Sequence, residues 1–271
     1  MHSSAARTNL SSDRVNVSNH ILGQGQFRIA YAGTYIGGNR NQQEAVCKTF
    51  KSKYRALERE FYATDDRVNE RAVEFAEDWN NFCEDGKEIL ITFGSVQTNR
   101  HTGMSYLVEP LIRYFEKFTS NNGWIASEDD VGWAVLAMEA FSHFTYHRSG
   151  GQMIVCDLQG RYRYDRYNSN RCRFELTDVA ICSRQRRYGV TDLGEKGIES
   201  FFANHYCNEF CHSNGHHWSS PRTQRQWFAM SSGTSMLGSS AAHLLSTRNQ
   251  TRFTSTMDPI YADDDDSDDS W

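Results

Sequence analysis

No stretch of this 271-residue sequence approaches the ~18 consecutive apolar residues that a membrane-crossing helix requires. Met1 to Leu10 lacks the apolar run of a secretory leader. An excess of positive charge is missing too, since 29 Lys and Arg face 34 Asp and Glu for a net charge of −5. Six aspartates between Asp263 and Asp269 account for that sign, and setting them aside moves the formal charge from −5 to +1. A near-neutral body is not the profile of a nucleic-acid binder, and the acidic run reads as a solvated tail. There is no internal repeat and no C-x-x-C pair. The seven cysteines (Cys47, Cys83, Cys156, Cys172, Cys182, Cys207 and Cys211) are odd in number and mostly scattered. They read as core thiols or metal ligands of a soluble protein in a reducing compartment, which points to the cytoplasm.

What is present suffices for a sizeable core: 38% of residues are hydrophobic and 13% aromatic. This length allows one large domain or two small lobes. The first twenty residues are polar and Ser/Asn-rich, and read as loosely ordered. Residues 27–36 and 45–50 read as a strand pair around the turn signal Gly37-Gly38-Asn39. Tyr54, Leu57, Phe61, Val68, Ala72, Phe75, Trp79 and Phe82 then recur at helical spacing. Residues 88–96 and 105–109 suggest two more strands. Residues 131–146 are apolar almost all round, as in a buried central helix, and Glu128-Asp129-Asp130 supplies acid near its start. Strands are expected over 153–157 and 174–181, and a short helix over 195–204. From residue 219 onward Ser, Thr, Gln and Arg dominate, and 219–271 reads as linker and tail.

Three patterns carry chemistry. His205, Cys207 and Cys211 place three nitrogen or sulfur ligands within seven residues. A structural zinc takes four, and His143, His147, His212, His216 and His217 are candidates for the fourth. Gly23-Gln24-Gly25 precedes a strand, and Lys48 ends the next one. A glycine loop lets backbone N–H groups approach phosphates, and a strand lysine can pair with their oxygens. Asp157, in Asp157-Leu158-Gln159-Gly160, and Asp178, in Leu176-Thr177-Asp178, each follow an apolar segment. Two oxygen-ligand groups brought together suit magnesium, which borrows the rest of its shell from water and phosphate.

Taken with Gly25-Gln26-Phe27-Arg28-Ile29-Ala30-Tyr31, residues 141–146, Asp192-Leu193-Gly194-Glu195-Lys196-Gly197-Ile198 and His205-x-Cys207-Asn208-x-x-Cys211, these segments resemble the alpha-kinase family in content and order over about residues 20–218. The H-R-D and D-F-G marks of ordinary protein kinases are absent. The resemblance implies an α+β, two-lobed, protein-kinase-like fold with a structural zinc in the C-terminal lobe. Its expected divisions are a flexible 1–20, an N-terminal lobe 21–110, a C-terminal lobe 111–218 and a tail 219–271. It further implies an ATP-dependent Ser/Thr kinase that acts on protein substrates and on itself, while the charge balance and the lack of apolar runs point to neither nucleic acid nor membrane as partner. The alternative is a catalytically inactive, zinc-stabilised scaffold of the same fold. Lys48 and Arg28 match residues that meet ATP phosphates near Gly25, and Glu109 and Leu111 match the hinge against adenine. Asp157 matches the catalytic aspartate, and Gln159 and Asp178 the magnesium ligands. The glycine-rich substrate loop matches 189–197. The zinc ligands match His143, His205, Cys207 and Cys211. The chain departs from the family in an Arg/Tyr-rich insert over 161–173, read as a surface loop.

Overall fold

The computed structural model describes residues 5–6, 14–25, 27–82, 86–165, 167–168, 171–213, 216–237 and 253–255. In chain order the main elements are β1 (Ala5–Ala6), β2 (Arg14–Gln24), β3 (Arg28–Ile36), β4 (Glu44–Phe50), α1 (Glu58–Phe82), β5 (Lys87–Thr92), β6 (Ser95–Thr98), β7 (Ser105–Pro110), β8 (Glu116–Lys117), α2 (Glu128–Val131), α3 (Ala134–Arg148), β9 (Met153–Cys156), β10 (Gln159–Tyr164), β11 (Cys172–Leu176), β12 (Ala180–Ser183) and α4 (Glu195–Phe202).

Two five-stranded sheets organise the chain. The first runs β2-β3-β4-β7-β6 and is antiparallel throughout. Its core includes Tyr35, Ala45, Cys47 and Val108, all buried. Part of the segment expected to be loose is therefore an edge strand: β2 carries few apolar residues because much of it faces solvent. The second sheet runs β1-β5-β11-β10-β8, with β5 and β11 parallel and β10 antiparallel to both its neighbours.

The chain crosses between sheets just after β5. The single strand expected over 88–96 is instead two, with β5 in the second sheet and β6 in the first. Gly94 sits at the crossing, where a Cβ would stand 2.7 Å from the Val108 carbonyl oxygen. Only a residue without a side chain permits that approach.

The second sheet anchors the main core. Trp79 of α1 meets Phe141 and Phe144 of α3 edge-on at 5.7 and 5.4 Å. Each fully buried side chain of this size stabilises the fold by about 1.5–3 kcal/mol. The helix expected over 131–146 is interrupted. Ser127 caps α2, and Gly132 at φ 63 ends it before α3 begins. Residues 134–146 of α3 are buried on nearly every face, as their composition requires.

Two other expectations change. The two ends of the Arg/Tyr-rich segment are not surface loop but strands of the β10–β11 hairpin, with Tyr162 opposite Phe174 and Arg161 opposite Glu175. Arg161 pairs with Glu175 and Arg173 with Glu88, while Tyr162 and Tyr164 pack on Trp133. Residues 219–237 are not a free linker. Phe228 is buried and Trp227 packs beside it against α4, and residues 231–235 then bond to Asn121 and Asn122. The acidic run 263–269 lies outside the described residues. Among the described residues no helix is long and apolar enough to cross a membrane.

Candidate functional site

A crevice between the two sheets collects charged side chains from several separate elements. Lys48, on β4, is buried and donates to Glu109 of β7 at 2.9 Å and to Asp178 in a close ion pair. Burial alone would depress the Lys48 ammonium, but Asp178 and Glu109 more than offset it and hold its pKa above the ordinary value. Burial pushes the Glu109 carboxyl up, although Lys48 and the Thr177 hydroxyl, 3.0 Å away, favour its charged form. Asp178 keeps its outer side toward solvent. Burial raises it, but the Lys48 ammonium wins and leaves it below the usual carboxylate range.

The network continues through Lys117. Its ammonium donates to Asp157 Oδ1 at 2.6 Å and to Gln159 Oε1 at 3.0 Å, and Gln159 in turn donates to the Asp178 carbonyl at 3.2 Å. Lys48, Asp178, Gln159, Lys117 and Asp157 are thus one continuous polar chain. Sequence reasoning missed Lys117. It sits on a two-residue strand after an irregular link, with no motif to flag it.

The two aspartates share an uncommon backbone state. Asp157 follows β9 at φ 60 and Asp178 follows β11 at φ 53. A left-handed conformation is unfavourable for residues other than glycine and persists where surrounding structure holds it. Here it turns both carboxylates off strand ends into the crevice. It also breaks the single strand expected over 174–181 into β11 and β12. Gly160 is needed for a different reason, because a Cβ there would lie 2.0 Å from the Glu175 carbonyl oxygen across the hairpin.

Arg28 lies on β3 and pairs with Asp65 of α1, with its guanidinium over the Phe50 ring at 4.6 Å. Gly25 donates its N–H to the Arg28 carbonyl at 2.9 Å, closing the turn before β3. Leu111 follows β7, its N–H on the Glu44 carbonyl at 3.1 Å. The 189–197 loop is shaped by buried Asp192, whose carboxylate accepts from Ser183 N and Oγ at 2.7 and 2.6 Å, from Gly194 N at 3.0 Å and from Tyr188 N at 3.2 Å.

A second cluster forms between α3 and the chain that follows α4. One ligand atom from each of His143, His205, Cys207 and Cys211 falls within 4.8 Å of all the others. His147 instead approaches Ser219, with Nδ1 3.1 Å from the hydroxyl. His143 Nδ1 is 3.1 Å from His205 Nε2 and 3.7 Å from Cys207 Sγ, and Cys211 Sγ is 3.5 Å from His205 Nε2. Four donors at zinc–ligand distances on a tetrahedron stand about 3.3–3.8 Å apart. The remaining ring nitrogens fix the tautomers. His143 Nε2 is 3.0 Å from the Ser219 carbonyl and His205 Nδ1 is 2.7 Å from the Glu139 carboxylate. Both oxygens accept, so both of these nitrogens carry a proton, and His143 Nδ1 and His205 Nε2 are the ring nitrogens that face each other. Burial pushes the His143 imidazole down to about 4, which keeps it neutral.

A sequence model of the alpha-kinase family matches residues 23–211. Among full-length relatives, alpha-protein kinase vwkA of Dictyostelium discoideum is 29% identical over 223 residues, covering 74% of this chain and 31% of the relative. Eukaryotic elongation factor 2 kinase of Homo sapiens is 28% identical over 207 residues, covering 74% and 26%. The chain thus spans about a quarter to a third of the length of these relatives. The fold resembles the alpha-kinase domain of myosin-II heavy chain kinase A in complex with AMP-PNP, with a TM-score of 0.58 at 23% identity, covering 73% of this chain and 85% of that one. With its polar crevice and glycine-rich turn inside the matched region, this chain belongs to the alpha-kinase family.

Proposed function

We propose that this chain is an ATP-dependent protein kinase that phosphorylates Ser or Thr hydroxyls, its own included. The observation that carries the reading is the unbroken chain from Lys48 through Asp178, Gln159 and Lys117 to Asp157 in one crevice. Family membership supplies the class of reaction.

Phosphoryl transfer asks a protein mainly for positioning and for charge where charge develops. Lys48 and Arg28 meet the triphosphate beside the Gly25 turn, and the Glu109–Leu111 segment faces the base. Gln159 and Asp178 are the residues that would hold magnesium, which supplies positive charge to the phosphoryl oxygens. Asp157 orients the acceptor hydroxyl and takes its proton. Lys117, on the other oxygen of that carboxylate, holds it in place. The loop over 189–197, held open by Asp192, receives the protein substrate. The lobes expected over 21–110 and 111–218 interleave, because β5 and Trp79 of α1 belong to the second sheet and its core while β6 returns to the first sheet.

His143, His205, Cys207 and Cys211 suit a structural zinc. His143 Nδ1 and His205 Nε2 face each other at 3.1 Å with both sulfurs close by, and two nitrogens with two sulfurs are a donor set that zinc favours. The four side chains complete a tetrahedron, which leaves no open position for chemistry.

Incubating the chain with γ-labelled ATP and magnesium, with Asp157→Ala as control, tests the kinase reading. Label should enter protein Ser or Thr with the parent and not with the variant. Equal incorporation by the two, or none by either despite bound nucleotide, sinks it in favour of a scaffold.

A further inference from the structure

We propose that residues 231–237 occupy the protein-substrate position of the chain's own crevice, and that Thr234 is a phosphate acceptor modified within the same molecule. This rests on the kinase reading and goes beyond it by naming the residue and the route.

The segment Ser231-Ser232-Gly233-Thr234-Ser235-Met236-Leu237 is held as a bound peptide would be. Asn121 and Asn122, buried in the turn before α2, grip it largely through its main chain. Asn121 Nδ2 donates to the Ser235 carbonyl at 2.7 Å and its Oδ1 accepts from Ser235 N at 2.8 Å. Asn122 Nδ2 reaches the carbonyls of Ser231 and Gly233 at 3.0 and 3.1 Å. On the opposite side Leu237 N donates to the Val190 carbonyl at 2.7 Å, and Asn121 ties Thr191 to the same point at 2.8 Å. The loop that contributes Val190 and Thr191 is the one assigned above to substrate.

Main-chain recognition of this kind fixes where a peptide lies and leaves its side chains to select the chemistry. One side chain is placed on the reacting carboxylate. Thr234 Oγ1 donates to Asp157 Oδ2 at 2.6 Å, while Lys117 holds Oδ1 at 2.6 Å. The hydroxyl stands on the oxygen that a general base would use, within hydrogen-bond reach of its proton. A tail docked for stability alone needs no hydroxyl there, since Trp227, Phe228 and the two asparagines already anchor it.

In the step proposed, Thr234 Oγ1 forms a bond to the γ-phosphorus of ATP, and the bond from that phosphorus to the bridging oxygen breaks. ADP leaves with the electron pair. The hydroxyl proton passes to Asp157 and then to water. While the segment is docked, the position is closed to other acceptors.

The full chain is incubated with magnesium and ATP, and phosphorylated residues are mapped by mass spectrometry over a dilution series. Added histone serves as a hydroxyl-bearing probe, and calorimetry reports ATP binding. The expected result is phosphate on Thr234, with a fraction modified per unit time that does not change on dilution. Thr234→Ser keeps the modification and Thr234→Val loses it at that position only. Label on histone or on other residues with Thr234 unmodified overturns the inference and leaves the kinase reading standing. A rate that falls in proportion to concentration overturns the intramolecular route. No label on chain or histone overturns both.

Discussion

The His143–His205–Cys207–Cys211 cluster and the Lys48–Asp178–Asp157 crevice are both buried polar assemblies, built in opposite ways. In the cluster four neutral or soft donors point at one spot, three of them from a seven-residue stretch. In the crevice full charges are cross-paired along a line, each from a different element. A site whose donors converge on a point is completed by a single cation, so its binding energy is folding energy. A site whose charges already answer one another folds without a ligand and holds its groups ready for one. Loss of one member should therefore cost the fold itself in the cluster, and chemistry with a smaller loss of stability in the crevice.

The largest effect is expected in the cluster. Cys211→Ser replaces a buried thiol with a poor zinc ligand between α3 and the chain that follows α4. Apparent zinc binding energies in small structural sites reach about 10–16 kcal/mol, more than the whole stability of most domains. The variant should lose its cooperative melting transition or fail to stay soluble, and metal analysis of the parent should return one zinc per chain. A metal-free parent that melts like Cys211→Ser would erase the contrast.

Next is Asp157→Asn, which keeps the shape and removes the base. Phosphoryl transfer should fall by about 10²–10⁴-fold, while the circular dichroism melt drops only modestly, because Lys117 is partly exposed and keeps Gln159 as a partner. A large drop in melting temperature instead would move Asp157 to the structural side of the comparison.

Lys48→Met lies between these extremes. It leaves Glu109 buried without its cation, and breaking a buried pair from one side costs about 3–5 kcal/mol. The pH dependence distinguishes this from simple loss of packing. Burial already raises the Glu109 pKa, and without Lys48 it rises further. A carboxyl whose folded-state value lies above its unfolded one binds more protons in the folded state, so stability increases as pH falls. The deficit of the variant should thus be greatest at neutral pH and shrink as pH falls toward the unfolded carboxyl value of about 4.5. Lys48→Met combined with Glu109→Gln should flatten that dependence, as read from denaturant melts across pH.

The same contrast explains what the sequence revealed. The cluster was visible as spacing because its ligands are local, although spacing could not choose His143 over His147. The helix over 134–148 was legible because burial on all faces leaves an apolar composition. The crevice was not visible as an assembly: Lys48 and Asp178 are 130 residues apart, and only the family pattern joined them. Lys117 escaped because a lysine on a two-residue strand has no local signature. The docked segment 231–237 escaped because a peptide held by its main chain can be Ser-rich and polar. Composition reports how much apolar surface a segment can bury. It says nothing about carbonyls and amides that buried Asn121 and Asn122 can satisfy.

The smallest effect marks the limit of the argument about charge. Arg113 and Glu44 form a two-pronged pair at 3.0 and 2.9 Å near the link between the sheets, with side chains 59% and 52% exposed. By geometry this pair is as good as Lys48–Glu109. In water, however, each partner keeps most of its hydration when the other is removed, and exposed pairs are typically worth ~0–1 kcal/mol. Arg113→Ala should therefore leave phosphoryl transfer unchanged and shift a denaturant midpoint only slightly, with the shift vanishing at high salt. A loss comparable to that of Lys48→Met would mean that distance, and not desolvation, sets the worth of ion pairs here. The division between a folding site and a reacting site would then have no physical basis.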